Sequence, residues 1–174
     1  MTRTEKAKLE LELVPRSCWW SNVRSQVTKA EWEICKKFVA ERSGRKCEIC
    51  GGKGKKWPVE CHEIWDYDSA TATQTLVGLI ALCPNCHHAK HIGRSSAVMT
   101  GREKLVLYNH ICQVNGWTPS HLIHTVMPEA FAVWSIMSEV NWALDVSYLK
   151  ELGIELPQYY WGHEDREPMA EERS

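Results

Sequence analysis

The sequence predicts an α+β fold that is mostly helical, built on a small core of strand hairpin and helix, with an N-terminal helix before it and a C-terminal helical subdomain after it. Three observations predict this. Two Cys-x-x-Cys pairs, Cys47-Glu48-Ile49-Cys50 and Cys83-Pro84-Asn85-Cys86, bracket a strand-like stretch. The second pair runs into His87-His88-Ala89-Lys90-His91, where Pro84 suits the first turn of a helix. Beyond Gly93 apolar residues recur at helical spacing.

Each cysteine pair presents two sulfurs from one tight turn, and two such pairs a few tens of residues apart can close a tetrahedral four-thiolate zinc site. A saturated shell leaves no position for substrate, so zinc at Cys47, Cys50, Cys83 and Cys86 is read as structural. In so small a core its loss should unfold the motif. His87 and His91 stand four residues apart on the expected helix, so both rings share a face and can hold one divalent ion. His88 points elsewhere.

Taken in order, Leu9, Leu11 and Leu13 alternate with Glu10 and Glu12 until Pro15, which predicts a short edge strand or a disordered arm. Thr28 with Glu31 three residues on is a helix start, and Trp32, Cys35 and Val39 follow at helical spacing as far as Gly44. Gly51-Gly52-Lys53-Gly54 reads as a hairpin turn, and 57–65 as the strand after it. Asp66 to Ser69 opens a polar connection, Leu76 to Leu82 is apolar, and Gly93 stops the helix that begins at Pro84. Arg102 to Asn115 forms the next helix, closed by Gly116; a longer one runs from Ser120 to about Trp142, kinked or broken at Pro128. One more short helix is expected from Asp145 to Leu152. The corresponding division is an arm over 1–27, a core with its leading helix over 28–95, a helical extension packed on that core over 96–156, and an acidic tail over 157–174.

With 174 residues and 20.0 kDa, the chain is long enough to bury a sizeable core as one domain. A hydrophobic fraction of 44% and a charged fraction of 25% are those of an ordinary globular chain, and no apolar run approaches a bilayer span. Met1 to Lys6 leads into alternating Leu and Glu rather than a signal core, so the expectation is a cytoplasmic protein with no membrane partner. In a reducing compartment the eight cysteines are metal ligands and buried thiols rather than disulfides. Cys18, Cys35 and Cys112 are assigned to apolar packing. The net charge of −1 gives no global pull toward a polyanion, but six basic residues against one acid between Arg42 and Lys56 can form a basic face. Of the nine tryptophans most are assigned to the core, with Trp57 and Trp65 flanking the strand.

The first Cys-x-x-Cys, the strand with His62-Glu63, the apolar run into Leu82-Cys83, and Cys86-His87-x-x-x-His91 together resemble an HNH nuclease, the ββα-metal class of endonuclease framed by two zinc knuckles. The resemblance covers roughly a quarter of the chain and implies a zinc-bound ββα-metal core. It implies a metal-dependent hydrolysis of phosphodiester bonds in DNA, RNA not being excluded, by a monomer or weak dimer. It also implies a catalytic divalent metal, Mg2+, Mn2+, Ni2+ or Zn2+, separate from the structural Zn2+. Two registers are open. Either Cys61 is the third metal ligand and His62 the general base, or His62 is the ligand and Glu63 the base. A thiolate suits magnesium poorly, which favours the second; an imidazole is the better-matched base near neutrality, which favours the first. Lys53, Lys55, Lys56 and Lys90 are the candidates for nucleic-acid phosphates. The chain departs from the family at Gly78, where an asparagine is expected, unless Gln74 or Thr75 supplies that hydrogen bond. The alternative is a catalytically degenerate zinc-knuckle module that binds nucleic acid or a protein.

Overall fold

The computed structural model describes residues 7–155. The acidic tail over 157–174, and with it Trp161 and His163, lies outside the described residues. The fold is α+β and mostly helical.

Helix starts follow the side chains that can cap them. A short α1 (Val23–Gln26) is capped by Asn22, and α2 (Lys29–Arg42) begins at Thr28. There the Glu31 N–H donates to Thr28 Oγ1 at 3.3 Å while the Glu31 carboxylate accepts from the Thr28 N–H at 2.7 Å, satisfying two of the donors a helix leaves unpaired. Strands β1 (Glu60–Asp68) and β2 (Thr73–Leu82) pair antiparallel, Glu60 opposite Leu82 and His62 opposite Ile80, with a bulge between Ile64 and Trp65. Asp68 closes their turn by accepting from the Ala70 N–H at 2.9 Å and from the Thr71 hydroxyl at 2.9 Å. β1 therefore continues through the stretch expected to be a polar connection. The glycines after Cys50 belong to the cysteine turn and a loop over 51–59 rather than to the sheet hairpin.

Helix α3 (Pro84–Lys90) follows β2 directly, completing a hairpin-then-helix unit. The helical path breaks at His91, which has φ −109° and ψ 40°, and α4 (Ile92–Val98) resumes beyond it; Gly93 lies inside α4 and does not end the run. Helix α5 (Gly101–Asn115) has a second capping box, Thr100 with Glu103, and ends at Gly116 with φ 68°, a left-handed conformation in which a Cβ would be strained.

The long helix expected from Ser120 to Trp142 is shorter and interrupted. It consists of α6 (Pro119–His121), a π-helical turn at Leu122–Val126 and α7 (Met127–Met137). Pro128 sits in the first turn of α7, where its missing N–H costs nothing, and the wider turn before it absorbs the break. One face of α7 is open, with Val133 and Ile136 exposed, while from another Trp134 Nε1 donates to Val14 O at 2.9 Å. The chain then returns to the core: β3 (Ala143–Asp145) adds a parallel strand beside Thr73–Thr75, and the short helix expected there follows as a 3-10 helix at Ser147–Leu152.

Strand alternation makes the hairpin a partition between two cores. Cys61, Leu79 and Ala81 face Cys35 and Val39 of α2, together with Val146, Leu149 and Ile154. On the other side Leu82 and Ile80 pack with the cysteine turn, Ala89, Ile92 and α5 through Leu107 and Ile111. Residues 8–15 bend at Lys8 and Leu9 and join no strand; Leu9 is buried in this second core with Leu11 and Leu13 against it. Among the described residues no helix is long and apolar enough to cross a membrane.

Candidate metal centres

The four knuckle cysteines come together as their spacing predicts, with their sulfurs all within 4.8 Å of one another, so that they could hold a structural metal ion such as zinc. Cys47 and Cys50 sit on one turn, closed by Gly51 N–H to Cys47 O at 2.8 Å and Cys47 N–H to Gly52 O at 2.9 Å. Cys83 and Cys86 sit at the start of α3. A Cβ on Gly54 would fall 2.0 Å from the Trp57 carbonyl oxygen of the same loop and 2.8 Å from Pro84 Cδ, an approach only glycine tolerates. Glu48, between the first two cysteines, ties the turn to its neighbours. It accepts from the Ala81 N–H at 2.7 Å and from Arg42 Nη2 at 2.7 Å, and Arg42 in turn donates to Leu79 O at 2.7 Å.

The thiols also communicate electrically. Donation from Cys83 and Cys86 holds the Cys47 thiol far below the usual range, and the same neighbour pushes Cys83 up to about 11 and Cys86 higher still. Charge on Cys47 thus disfavours charge on Cys83 and Cys86, and a divalent ion would offset that repulsion. His110 of α5 stands beside this group, its Nε2 3.1 Å from Cys86 Sγ.

A second cluster lies next to the first. His62 of β1 meets His87 and His91 from α3 and its C-terminal end, one ring nitrogen of each lying within 4.8 Å of the others. Ring centroids are 5.3 Å apart for His62 and His87, 4.9 Å for His62 and His91, and 4.8 Å for His87 and His91, with edge-on packing throughout. His62 is 3% exposed, and its Nδ1 is buried with no hydrogen-bond partner among the described residues. Its Nε2 lies 3.4 Å from Glu12 Oε2. His87 Nδ1 is taken by the carboxylate of Glu60, which leaves Nε2 as its ligand atom. Burial pushes His87 down, and burial with the neighbouring imidazoles pushes His91 down to about 3, so these rings are neutral near pH 7 with lone pairs to offer. Three convergent imidazoles, one with an orphaned buried nitrogen, are a donor set that fits a divalent transition ion.

The structure brings His62 to this cluster and leaves the other strand candidates elsewhere. Cys61 and Glu63 flank it on the opposite face of β1. Burial pushes the Cys61 thiol far up, away from the thiolate a metal requires. Burial also raises the Glu63 carboxyl, which accepts from the Val23 backbone N–H. Gly78 lies opposite Ile64, two pairs from His62. Gln74 and Thr75 are six and five residues along β2 from Ile80, the partner of His62. At about 3.3 Å per residue, that is too far for either to replace the family's asparagine at His62. Gln74 is buried, and neither of its side-chain polar atoms has a hydrogen-bond partner among the described residues.

Lys53, Lys55 and Lys56 are exposed on the loop over 51–59, beside an exposed Trp57. Lys90 differs from them: it is 9% exposed and its ammonium is ion-paired with Glu12. Glu12 itself balances burial, which raises its pKa, against His62 and Lys90, which together hold it below the usual carboxylate value. Three residues escaped the sequence reading. Glu60 was legible, since it lies two residues before His62 and period-2 alternation puts both on one face. For Glu12 the alternation in the arm gave a direction but no target, and for His110 nothing local marked the contact. Comparison with protein-family models, with curated proteins and with solved structures returns no match.

Proposed function

We propose that the chain is a metal-dependent HNH endonuclease that hydrolyses phosphodiester bonds in DNA, its four cysteines holding a structural zinc ion and its three histidines a catalytic divalent ion. The observation that carries this reading is the convergence of His62, His87 and His91 from a strand and the following helix beside the cysteine cluster. When bound, a divalent ion supplies Lewis-acid stabilisation of a phosphate oxygen and of the leaving oxygen. An all-imidazole set favours Zn2+ or Ni2+ over Mn2+ and Mg2+, which prefer carboxylates and water.

The side chains divide the remaining work. His62, His87 and His91 hold the ion as neutral imidazoles, which makes His62 the third ligand rather than the base. Glu60 fixes the ring of His87 through Nδ1. With His62 as the third ligand, the family pattern makes Glu63, the next residue of β1, the proton acceptor; its carboxyl lies on the α2 side of the strand, and Glu60 stands behind the His87 ring. Lys53, Lys55 and Lys56 contact phosphates flanking the cut.

Incubation of the protein with supercoiled plasmid and Mn2+, Ni2+, Zn2+ or Mg2+ tests the proposal. Nicking should appear with at least one of the transition ions and fall on the order of 100-fold or more in His87→Ala, since even an outer partner of a metal ligand is worth 10–100-fold. Gly78, with neither Gln74 nor Thr75 near His62, favours the second reading, a non-catalytic zinc-knuckle module. Full DNA binding with no cleavage under any of the four ions would support that reading and end the first.

A further inference from the structure

The arm over 7–15 forms no strand, yet it is fixed at several points. Asn115 of α5 brackets Leu9, its Nδ2 donating to Leu9 O at 2.9 Å and its Oδ1 accepting from the Leu9 N–H at 2.9 Å. Farther along, Val14 O accepts from Trp19 Nε1 at 3.0 Å and from Trp134 Nε1 at 2.9 Å. With Leu9, Leu11 and Leu13 turned to the core, alternation sends Glu12 the other way. Its carboxylate there spans two groups of the hairpin-helix unit, Oε2 at His62 Nε2 and Oε1 at Lys90 Nζ.

An imidazole can offer either nitrogen to a metal, and the one it offers is set by what the other one meets. At His62 the carboxylate stands at Nε2, and the nitrogen left over, Nδ1, is the buried one without a partner. At His87 the roles are exchanged: Glu60 takes Nδ1. Two of the three rings are therefore backed by a carboxylate. One carboxylate comes from the strand itself and the other from a segment 50 residues away that is clamped to α5 and α7.

We infer that Glu12 is a positioning residue of the three-histidine centre: it fixes the tautomer and orientation of His62 so that Nδ1 faces the ion, while Lys90 balances its charge. The inference rests on reading that cluster as a metal site. It explains the buried lysine without a phosphate contact, and it makes the N-terminal arm part of the centre. A cleft of about 230 Å³ between the arm and the hairpin, lined by Lys8, Glu12, Ile49, His62, Ile80 and Lys90, is the space this contact spans.

The test uses the full chain with zinc at the cysteines, titrated with Co2+ and followed by the weak visible bands of nitrogen-bound cobalt. Glu12→Ala should weaken Co2+ binding roughly 10–100-fold, the usual effect of removing the outer partner of a ligand histidine. Glu12→Gln/Lys90→Met, which leaves no unpaired lysine buried, should show a similar loss, whereas Lys90→Met alone should stay within about threefold. Proton NMR of the cobalt form gives a readout that mere support of the arm does not move. The cobalt-shifted, slowly exchanging Nε2–H of His62 should be present in wild type and Lys90→Met and lost to solvent exchange in Glu12→Ala. Wild-type affinity and an unchanged His62 N–H in Glu12→Ala, alongside a large loss in His62→Ala, would overturn the role of Glu12 alone. Wild-type affinity in His62→Ala and His87→Ala as well would overturn the metal centre itself.

Discussion

The cysteine and histidine clusters share α3, yet they are built for opposite ends. The four cysteine sulfurs come from two tight turns, three of the four residues are buried, and a divalent ion there would have a complete shell. The three histidines supply one donor fewer, two of them are only half buried, and carboxylates stand behind the rings rather than in front of them. A closed shell trades reactivity for stability, and an incomplete one keeps a position for water or phosphate. Both depend on α3 meeting the hairpin, so damage to the first should carry the second with it, but not the reverse.

That asymmetry predicts the largest effect. Cys86→Ser, or chelation strong enough to strip the cysteine site, should abolish cooperative unfolding of the core and empty both centres. Zinc binding at such sites contributes about 10–16 kcal/mol, comparable with or above the whole stability of a small domain. Circular dichroism through a thermal ramp, with metal content measured on the same samples, checks it. In His87→Ala the same ramp should move by no more than about 1–2 kcal/mol, in the usual range for a partly exposed side chain, while the second metal is lost. Equal destabilisation by both variants would mean that the histidines, too, serve only the scaffold.

Local signals carried most of this comparison into the sequence. The cysteine turns, the i,i+4 histidine pair and the Thr28 cap each lie within one turn or helix, so residue spacing alone fixed them. What escaped were contacts across the chain. Glu12 reaches His62 over 50 residues and His110 reaches Cys86 over 24, and no periodicity encodes either. The choice of register at Cys61-His62-Glu63 escaped for a related reason. It depends on which face of β1 meets α3, and only the position of α2 against the other face decides that. β3 was invisible because three residues carry too little alternation to stand out after a helical run; its pairing with Thr73–Thr75 is tertiary.

A smaller effect separates the cysteine turn from the ion it could hold. Glu48→Ala removes the acceptor of the Ala81 N–H and leaves Arg42 without its carboxylate, which should cost about 1–3 kcal/mol in denaturant unfolding. Zinc should stay bound, and Co2+ affinity at the histidines should be unchanged, because no link of this network reaches them. A variant that released zinc as readily as Cys86→Ser would show that the turn, rather than its sulfurs, limits the closed site.

The smallest expected effect concerns the loop that the cysteine turn leads into. Lys53, Lys55 and Lys56 are exposed there, whereas Arg42 and Lys90 are neutralised by Glu48 and Glu12, so only part of the basic stretch is free to meet a polyanion. Each lysine that contacts a phosphate adds about 0.9 to the slope of log K against log salt, so changing all three to Gln should lower that slope by up to about 2.7. Arg42→Gln should leave it unchanged. Binding isotherms on a short duplex at several salt concentrations measure this without requiring cleavage. The triple substitution should not alter metal content, because all three lysines are exposed on the loop. An unchanged slope in the triple variant would place the nucleic-acid face elsewhere and leave the cysteine site with the hairpin and α3 as its only clients.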